Sequence, residues 1–281
     1  RRMLPVAVGA GVYQISLVID TVIASLLPTG SISYLFFADR VNQLPLGVIG
    51  VAVGTALLPL LSRQVRAGDT EAALKSQNRA LELSFLLTLP AAAALVVISE
   101  PVIRVLFERG AFGAAETRAT AAALAVFATG LPAYVLVKAL APGFFAREDT
   151  ATPVKISVVC LLVNLVLNLI LMVPLKHVGI ATATSVASWL NAGLLAYVLH
   201  RRRHLVVDAR LARRVPRVVV AAAGMALALF AAMTPLQASL AGSLSERMVL
   251  GGMAVFGALV AALGGARLGD LKSLTRSGGA S

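Results

Sequence analysis

Along this chain, long apolar stretches alternate with short polar ones. Eight stretches are long enough to cross a bilayer, which takes about 20 residues. They fall at 3–27, 33–61, 81–107, 118–145, 153–174, 178–199, 215–234 and 247–266. Pro28, Gly110, Pro174 and Pro235 stand near their ends, where helix breakers belong. No ten-residue segment alternates polar and apolar positions, as the strands of a membrane barrel would. Helices and closed barrels are the backbone arrangements that satisfy their own hydrogen bonds inside lipid. The pattern therefore predicts an all-α integral membrane protein of about eight transmembrane helices.

Composition sharpens this picture. Of 281 residues, 58% are hydrophobic and 14% charged, and the mean hydropathy is +0.87. A soluble domain is closer to half apolar and a quarter charged. The chain opens Arg1-Arg2 and runs into apolar sequence, as a signal peptide does. That stretch is longer than a signal core and lacks a small-residue cleavage site, so a spanning helix is expected. The single cysteine, Cys160, lies in an apolar stretch, so no disulfide within the chain or paired-cysteine metal site can form.

The net charge of +12 would suggest nucleic acid in a soluble protein. Here the basic residues lie between the spans, and no nucleic-acid partner is expected. If the chain alternates sides from Arg1, one side collects 18 of the 25 Lys and Arg and the other collects 5. Arg40 and Lys138 lie within spans. The bias makes the rich side cytoplasmic and places both ends of the chain there. The runs 201–203 and 210–217 are read as topology signals beside anionic lipid.

Polar side chains inside a span are costly and are functional candidates. Asp39 and Arg40 lie in the second span, with Asn42 and Gln43 just beyond. Arg40 and Gln43 are three apart and share a helix face. A guanidinium beside a water-filled cavity suits phosphate or pyrophosphate, because its planar fork donates two parallel hydrogen bonds. The alternative is that Arg40 pairs with a carboxylate on another helix and holds the bundle together. Asp39 points about 100° away and is a poor partner. Lys138, near the basic end of the fourth span, either reaches the interface or serves a cavity.

Four more polar residues fall at similar depth from the opposite side. Asp20 is in the first span, Asn164 and Asn168 share a face of the fifth, and Thr184 is in the sixth. Oxygen ligands of these kinds suit a hard cation such as sodium. Plain interhelical hydrogen bonding is the other reading. His200 and His204 have helical metal-pair spacing but lack a nearby carboxylate. Gly47, Gly50 and Gly54 make a small-residue stripe suited to close packing. No nucleophile–His pair, carboxylate dyad or phosphate loop points to an enzyme.

Longer segments carry a resemblance. They are Gln-Ile-Ser-Leu-Val-Ile-Asp-Thr-Val-Ile-Ala-Ser (14–25), Gly-Ser-Ile-Ser-Tyr-Leu-Phe-Phe-Ala-Asp-Arg-Val (30–41), the Gly-rich run 44–62, Lys-Ala-Leu-Ala-Pro-Gly-Phe-Phe-Ala-Arg-Glu-Asp-Thr-Ala-Thr-Pro-Val-Lys-Ile (138–156) and Leu-Lys-His-Val-Gly (175–179). Together they resemble the MurJ/MviN lipid II flippase family of the multidrug/oligosaccharidyl-lipid/polysaccharide exporter superfamily. The resemblance implies a transporter of fourteen helices, two six-helix lobes and a final pair. This chain is then expected to be the C-terminal portion: the second lobe over 1–204 and the terminal pair over 205–281, with the N-terminal lobe as its partner.

By the same resemblance, Arg40 matches a cavity arginine facing the lipid II pyrophosphate, with Asp39, Gln43 and Lys138 around it. Gln43 stands where relatives often carry an acid, which weakens any role that needs charge there. Asp20, Asn164, Asn168 and Thr184 match positions thought to hold sodium in some relatives. One of these is a carboxylate in some relatives and Asn168 here. The expected function is translocation of lipid II across the bacterial inner membrane by alternating access, with no enzymatic activity. The rival expectations are another exporter of the superfamily, for drugs or another lipid-linked glycan, and a non-transporting membrane scaffold for cell-wall synthesis.

Overall fold

The computed structural model describes residues 16 and 18–236. The expected span 247–266 and most of 3–27 lie outside them. Residues 18–25 are helical and form α1. There follow α2 (Ser31–Arg66), α3 (Thr70–Val97), α4 (Ser99–Phe107), α5 (Ala114–Phe145), α6 (Ala151–Arg201) and α7 (Ala209–Leu236). Five of these are long and apolar enough to cross a membrane. The chain is an all-α membrane protein.

Three boundaries differ from the hydropathy pattern, each for a physical reason. First, the polar stretch between the expected spans 33–61 and 81–107 is mostly helix. α2 continues to Arg66 and α3 starts at Thr70, where Asp69 caps it by accepting a hydrogen bond from Ala72 N at 2.9 Å. Polar helical turns beyond the lipid leave no trace in hydropathy. Second, the expected span 81–107 breaks at Ile98 into α3 and α4. Pro101 follows three residues later. Its ring clashes with the carbonyl four residues back and it has no N–H to donate, so the helix cannot continue straight.

Third, α6 is one helix by hydrogen bonding but two by geometry. Lys176 has φ 52 and ψ −131, and the chain folds back there. The two arms match the expected spans 153–174 and 178–199. They pack closely enough that a Cβ on Gly179 would lie 2.3 Å from the Leu171 carbonyl oxygen. A backbone atom cannot swing away from such a clash. Gly179→Ala is expected to cost about 1–3 kcal/mol by overpacking. Thermal unfolding of the full-length protein in detergent checks this, and an unchanged midpoint would count against the close approach.

α5 is the central helix, packed against α2, α3, α4 and α6. The core forms three clusters, of which the two largest lie at opposite ends. At the end near Arg147 and Arg201, Leu81, Leu140, Phe144, Ile156, Leu195 and Leu211 pack together. At the other end are Ile23, Leu35, Val41, Ile103, Leu124 and Ile180. Aromatic contacts close that second end, with Phe37 against Phe107 at 4.7 Å and Tyr34 against His177 at 5.3 Å between ring centroids. On α6, Val158, Val159, Leu162, Val166, Leu169 and Val173 are exposed along one helical face. A soluble protein does not tolerate a stripe of that extent, but lipid covers it without penalty.

Candidate functional site

Between the two largest core clusters lies a polar layer. Asn168 Nδ2 donates to Asp20 Oδ1 at 2.7 Å, joining the fifth expected span to the first. It also donates to Asn164 Oδ1 at 3.1 Å, and Asn164 Nδ2 donates to Thr184 Oγ1 at 3.3 Å across the α6 hairpin. With its amide turned over, Asn164 instead donates to Asp20 Oδ1 at 3.1 Å. In the first orientation the four side chains form one hydrogen-bonded group; in the second, Asn164 Oδ1 accepts from the Thr184 backbone N at 3.3 Å instead. The structure thus brings together all four residues that depth alone had aligned.

The group also fits a small hard cation. Each of its side chains offers oxygen, one is a carboxylate, and Asn168 is fully buried. Its Oδ1 has no hydrogen-bond partner among the described residues. A buried acceptor left unpaired is costly, and a cation or water would relieve it. Among the described residues no three His, Cys, Asp or Glu cluster to hold a metal. The donor set therefore suits a monovalent ion better than a transition metal.

Next to this group is a cavity of about 420 Å³ between α2, α5 and the two arms of α6. Asn164 and Thr184 form part of its wall. Tyr134, Lys138, Ser157, Cys160, Ser188 and Asn191 supply most of the remainder. Lys138 is its one exposed lining residue. The lysine stem crosses α2 at Gly50, where a Cβ would fall 2.7 Å from its Cδ. Gly54 faces the Lys138 carbonyl at 3.9 Å, whereas Gly47 faces open space. Of the three glycines in the expected stripe, Gly50 therefore makes room for Lys138.

Arg40 lies elsewhere. It is the tenth residue of α2 and is exposed, about 14 Å along the helix from Ser31. Its guanidinium stacks over Phe36 at 4.8 Å from the ring centroid. It makes no ion pair among the described residues. Gln43 Nε2 donates to Asp39 Oδ2, so those two half-buried side chains satisfy each other rather than Arg40. Neither the Arg40 group nor Asp20 and Asn168 line the cavity that holds Lys138.

The basic runs also bond within the fold. Glu82 is 8% exposed and accepts from Arg79 on its own helix and from Arg210 and Arg214 on α7. Arg214 is itself 9% exposed. Nearby, Asn78 Nδ2 donates to Val206 O at 2.8 Å, so α3 holds both the start of α7 and the segment before it. Arg202 bonds Asp149 at 2.5 Å and Thr152 at 3.1 Å, tying the far end of α6 to its beginning. Partial burial pushes the Asp149 carboxyl up. Thr152 and the Arg202 guanidinium outweigh this and hold it below its ordinary value. The tie is therefore in place at neutral pH and is lost as pH falls through that lowered value. His200 Nδ1 contacts Leu205 O at 3.1 Å, a loop contact and not a metal site.

Glu82 escapes the sequence reading because its partners lie about 130 residues away. The hydroxyls and Asn191 of the cavity escape it because single Ser and Tyr residues are unremarkable in apolar helices. Their one signal is that they recur on the faces of α5 and α6 that also carry Lys138, Asn164 and Thr184.

Comparison with known proteins places this arrangement. The family model described as "Lipid II flippase MurJ" matches residues 1–249. The chain belongs to the MurJ lipid II flippase family. A probable lipid II flippase MurJ of Rhizobium meliloti is 46% identical over 283 residues, covering 98% of this chain and 53% of the relative. The Vibrio cholerae relative of the same description is 34% identical, covering 97% and 53%. The chain spans about half the length of the curated relatives it matches. A lipid II flippase MurJ in an inward closed conformation superposes with a TM-score of 0.75 at 26% identity, over 88% of this chain and 50% of that one. An outward-facing multidrug transporter of the wider superfamily shares the fold, with a TM-score of 0.63 at 19% identity over 82% and 52%. MurJ family membership accounts for the multi-pass helical fold.

Proposed function

We propose that the protein containing this chain carries lipid II from the cytoplasmic to the periplasmic leaflet of the bacterial inner membrane, with this chain supplying one lobe and the terminal helix pair. The observation that carries the reading is Arg40, a guanidinium well inside a membrane helix that forms no ion pair among the described residues; the adjacent Asp39 carboxylate feels its charge but is bonded by Gln43. A charge at that depth is costly unless it faces water or an anion. The pyrophosphate of lipid II is an anion whose geometry fits the guanidinium fork.

In this reading the sugar–pyrophosphate head enters a cavity between this lobe and the N-terminal lobe, while the undecaprenyl tail stays in lipid. Rocking of two lobes about a midplane site then exposes the head to the other side. Asp39 and Gln43 hold each other and shape the helix beside Arg40. The Lys-rich and Arg-rich side faces the cytoplasm. Asp20, Asn164, Asn168 and Thr184 would hold a sodium ion, whose charge would compensate the buried carboxylate.

Depletion of the full-length protein in its host tests the reading. Lipid II is expected to accumulate, followed by lysis. Accumulation of another lipid-linked glycan, or altered drug sensitivity alone, would move the protein to another branch of the superfamily. Unchanged lipid-linked intermediates with disturbed cell-wall assembly would favour a scaffold.

A further inference from the structure

The cavity beside the four-residue group runs toward the basic end of the lobe. Depth along the helices can be counted at 1.5 Å per residue from the helix ends on that side. Ser157 lies about 9 Å in from Ala151 and Lys138 about 10 Å in from Phe145. Asn191 and Ser188 follow at about 15 and 20 Å from Arg201, then Asn164 at about 20 Å and Thr184 at about 26 Å. All six line one cavity. Polar groups thus descend in steps from the basic side to the cation-suited group, and the last two belong to both. Asn191 Oδ1 is a buried atom with no partner among the described residues. The wall is mostly apolar, with these polar groups spaced along it, and a space of this volume has room for several waters, each taking about 30 Å³.

We propose that this cavity is a hydrated path between the cytoplasm and the Asp20–Asn164–Asn168–Thr184 group for a small monovalent cation, and that Lys138 is a tethered positive charge at its mouth that competes with that cation. The proposal rests on the cation reading of the group and on the orientation given above. The lysine is the one exposed lining residue, and its stem is held against Gly50. Lys138 therefore lines the same space that an arriving ion would pass. Two unit charges about 10–15 Å apart at an effective dielectric of about 20 repel enough to change affinity roughly tenfold. Lys138 thus favours release of the ion to the cytoplasm.

Cys160 lines the cavity and provides a native reporter. The test uses the full-length protein, with any cysteines outside this chain replaced, in sealed vesicles of each orientation. A membrane-impermeant cationic methanethiosulfonate probes Cys160, and Ser157→Cys or Asn191→Cys in a Cys160→Ala background. Labelling is expected from the cytoplasmic face alone. Sodium chloride, compared with choline chloride, should slow it, and Asp20→Asn should abolish that protection. Lys138→Met should lower the sodium concentration for half-protection roughly tenfold, and Lys138→Arg should restore it.

Calorimetric titration with sodium separates the two ways of failing. Sodium binding that Asp20→Asn removes, combined with labelling from the periplasmic face or an unchanged Lys138→Met midpoint, overturns the path and leaves the cation group standing. No sodium binding to the wild-type protein overturns both.

Discussion

Glu82→Ala is expected to destabilise the protein more than any other single change outside the site. Its carboxylate sits between α3 and α7 and accepts from three arginines, one of which, Arg214, is almost as buried as the glutamate. The pair need not stabilise the fold relative to well-packed apolar residues, because desolvation of two ions offsets much of their attraction. Removing one partner is different, since the other charge stays buried and uncompensated. Such breaks cost about 3–5 kcal/mol, which corresponds to a fall in Tm of about 10 °C for a domain of this size.

Glu82→Gln should lose most of that stability despite its similar shape, which separates charge from packing. Glu82→Met combined with Arg214→Met should recover part of it, because neither charge then remains unpaired at that contact. A Glu82→Ala protein that unfolds within a degree of wild type would show that the cluster is an interfacial network without energetic weight.

How much of this was legible beforehand depends on the range of each interaction. Helix type was plain, because hydropathy integrates over twenty residues and lipid imposes one backbone solution. The Asp20, Asn164, Asn168 and Thr184 group was legible for a related reason. Antiparallel spans share a common frame of depth, so counting residues from the helix ends places polar side chains at matching levels. Those four meet in the structure as that count requires.

The count cannot say which way a side chain points around its helix. Lys138 lines the cavity while Arg40, also intramembrane, does not. Nor can it supply partners at long range. Glu82 looks like an ordinary interfacial acid until α7 is laid against α3, and only then do Arg210 and Arg214 change from topology signals into ligands of a buried carboxylate. The Ile98 break depended on one proline, Pro101, inside an otherwise spanning stretch. Pro90 in α3 and Pro132 in α5 lie in helices that continue through them. Proline alone therefore did not mark the break.

Arg40→Ala is expected to reduce lipid II transport by the full-length protein roughly 10- to 100-fold with little loss of stability. The two halves of that expectation have separate physical grounds. Stability should hold because Arg40 is exposed and forms no ion pair among the described residues. What it loses is a stacking contact with Phe36, worth about 0.5–1 kcal/mol at an exposed site. Transport should fall because a hydrogen bond from a cation to an anion is worth about 1.5–3 kcal/mol, and about 1.4 kcal/mol is a factor of ten. Arg40→Lys keeps the charge but replaces a planar two-pronged donor with a point charge. It should therefore transport at an intermediate rate.

The comparison is made in proteoliposomes carrying lipid II in one leaflet, with thermal unfolding of each variant measured alongside. Equal losses for alanine and lysine would point to a geometric role for the fork. Loss confined to alanine would point to charge alone. Wild-type transport by Arg40→Ala would remove the pyrophosphate contact from the proposed function. The intramembrane guanidinium of Arg40 would then have to be answered by a carboxylate of the partner lobe.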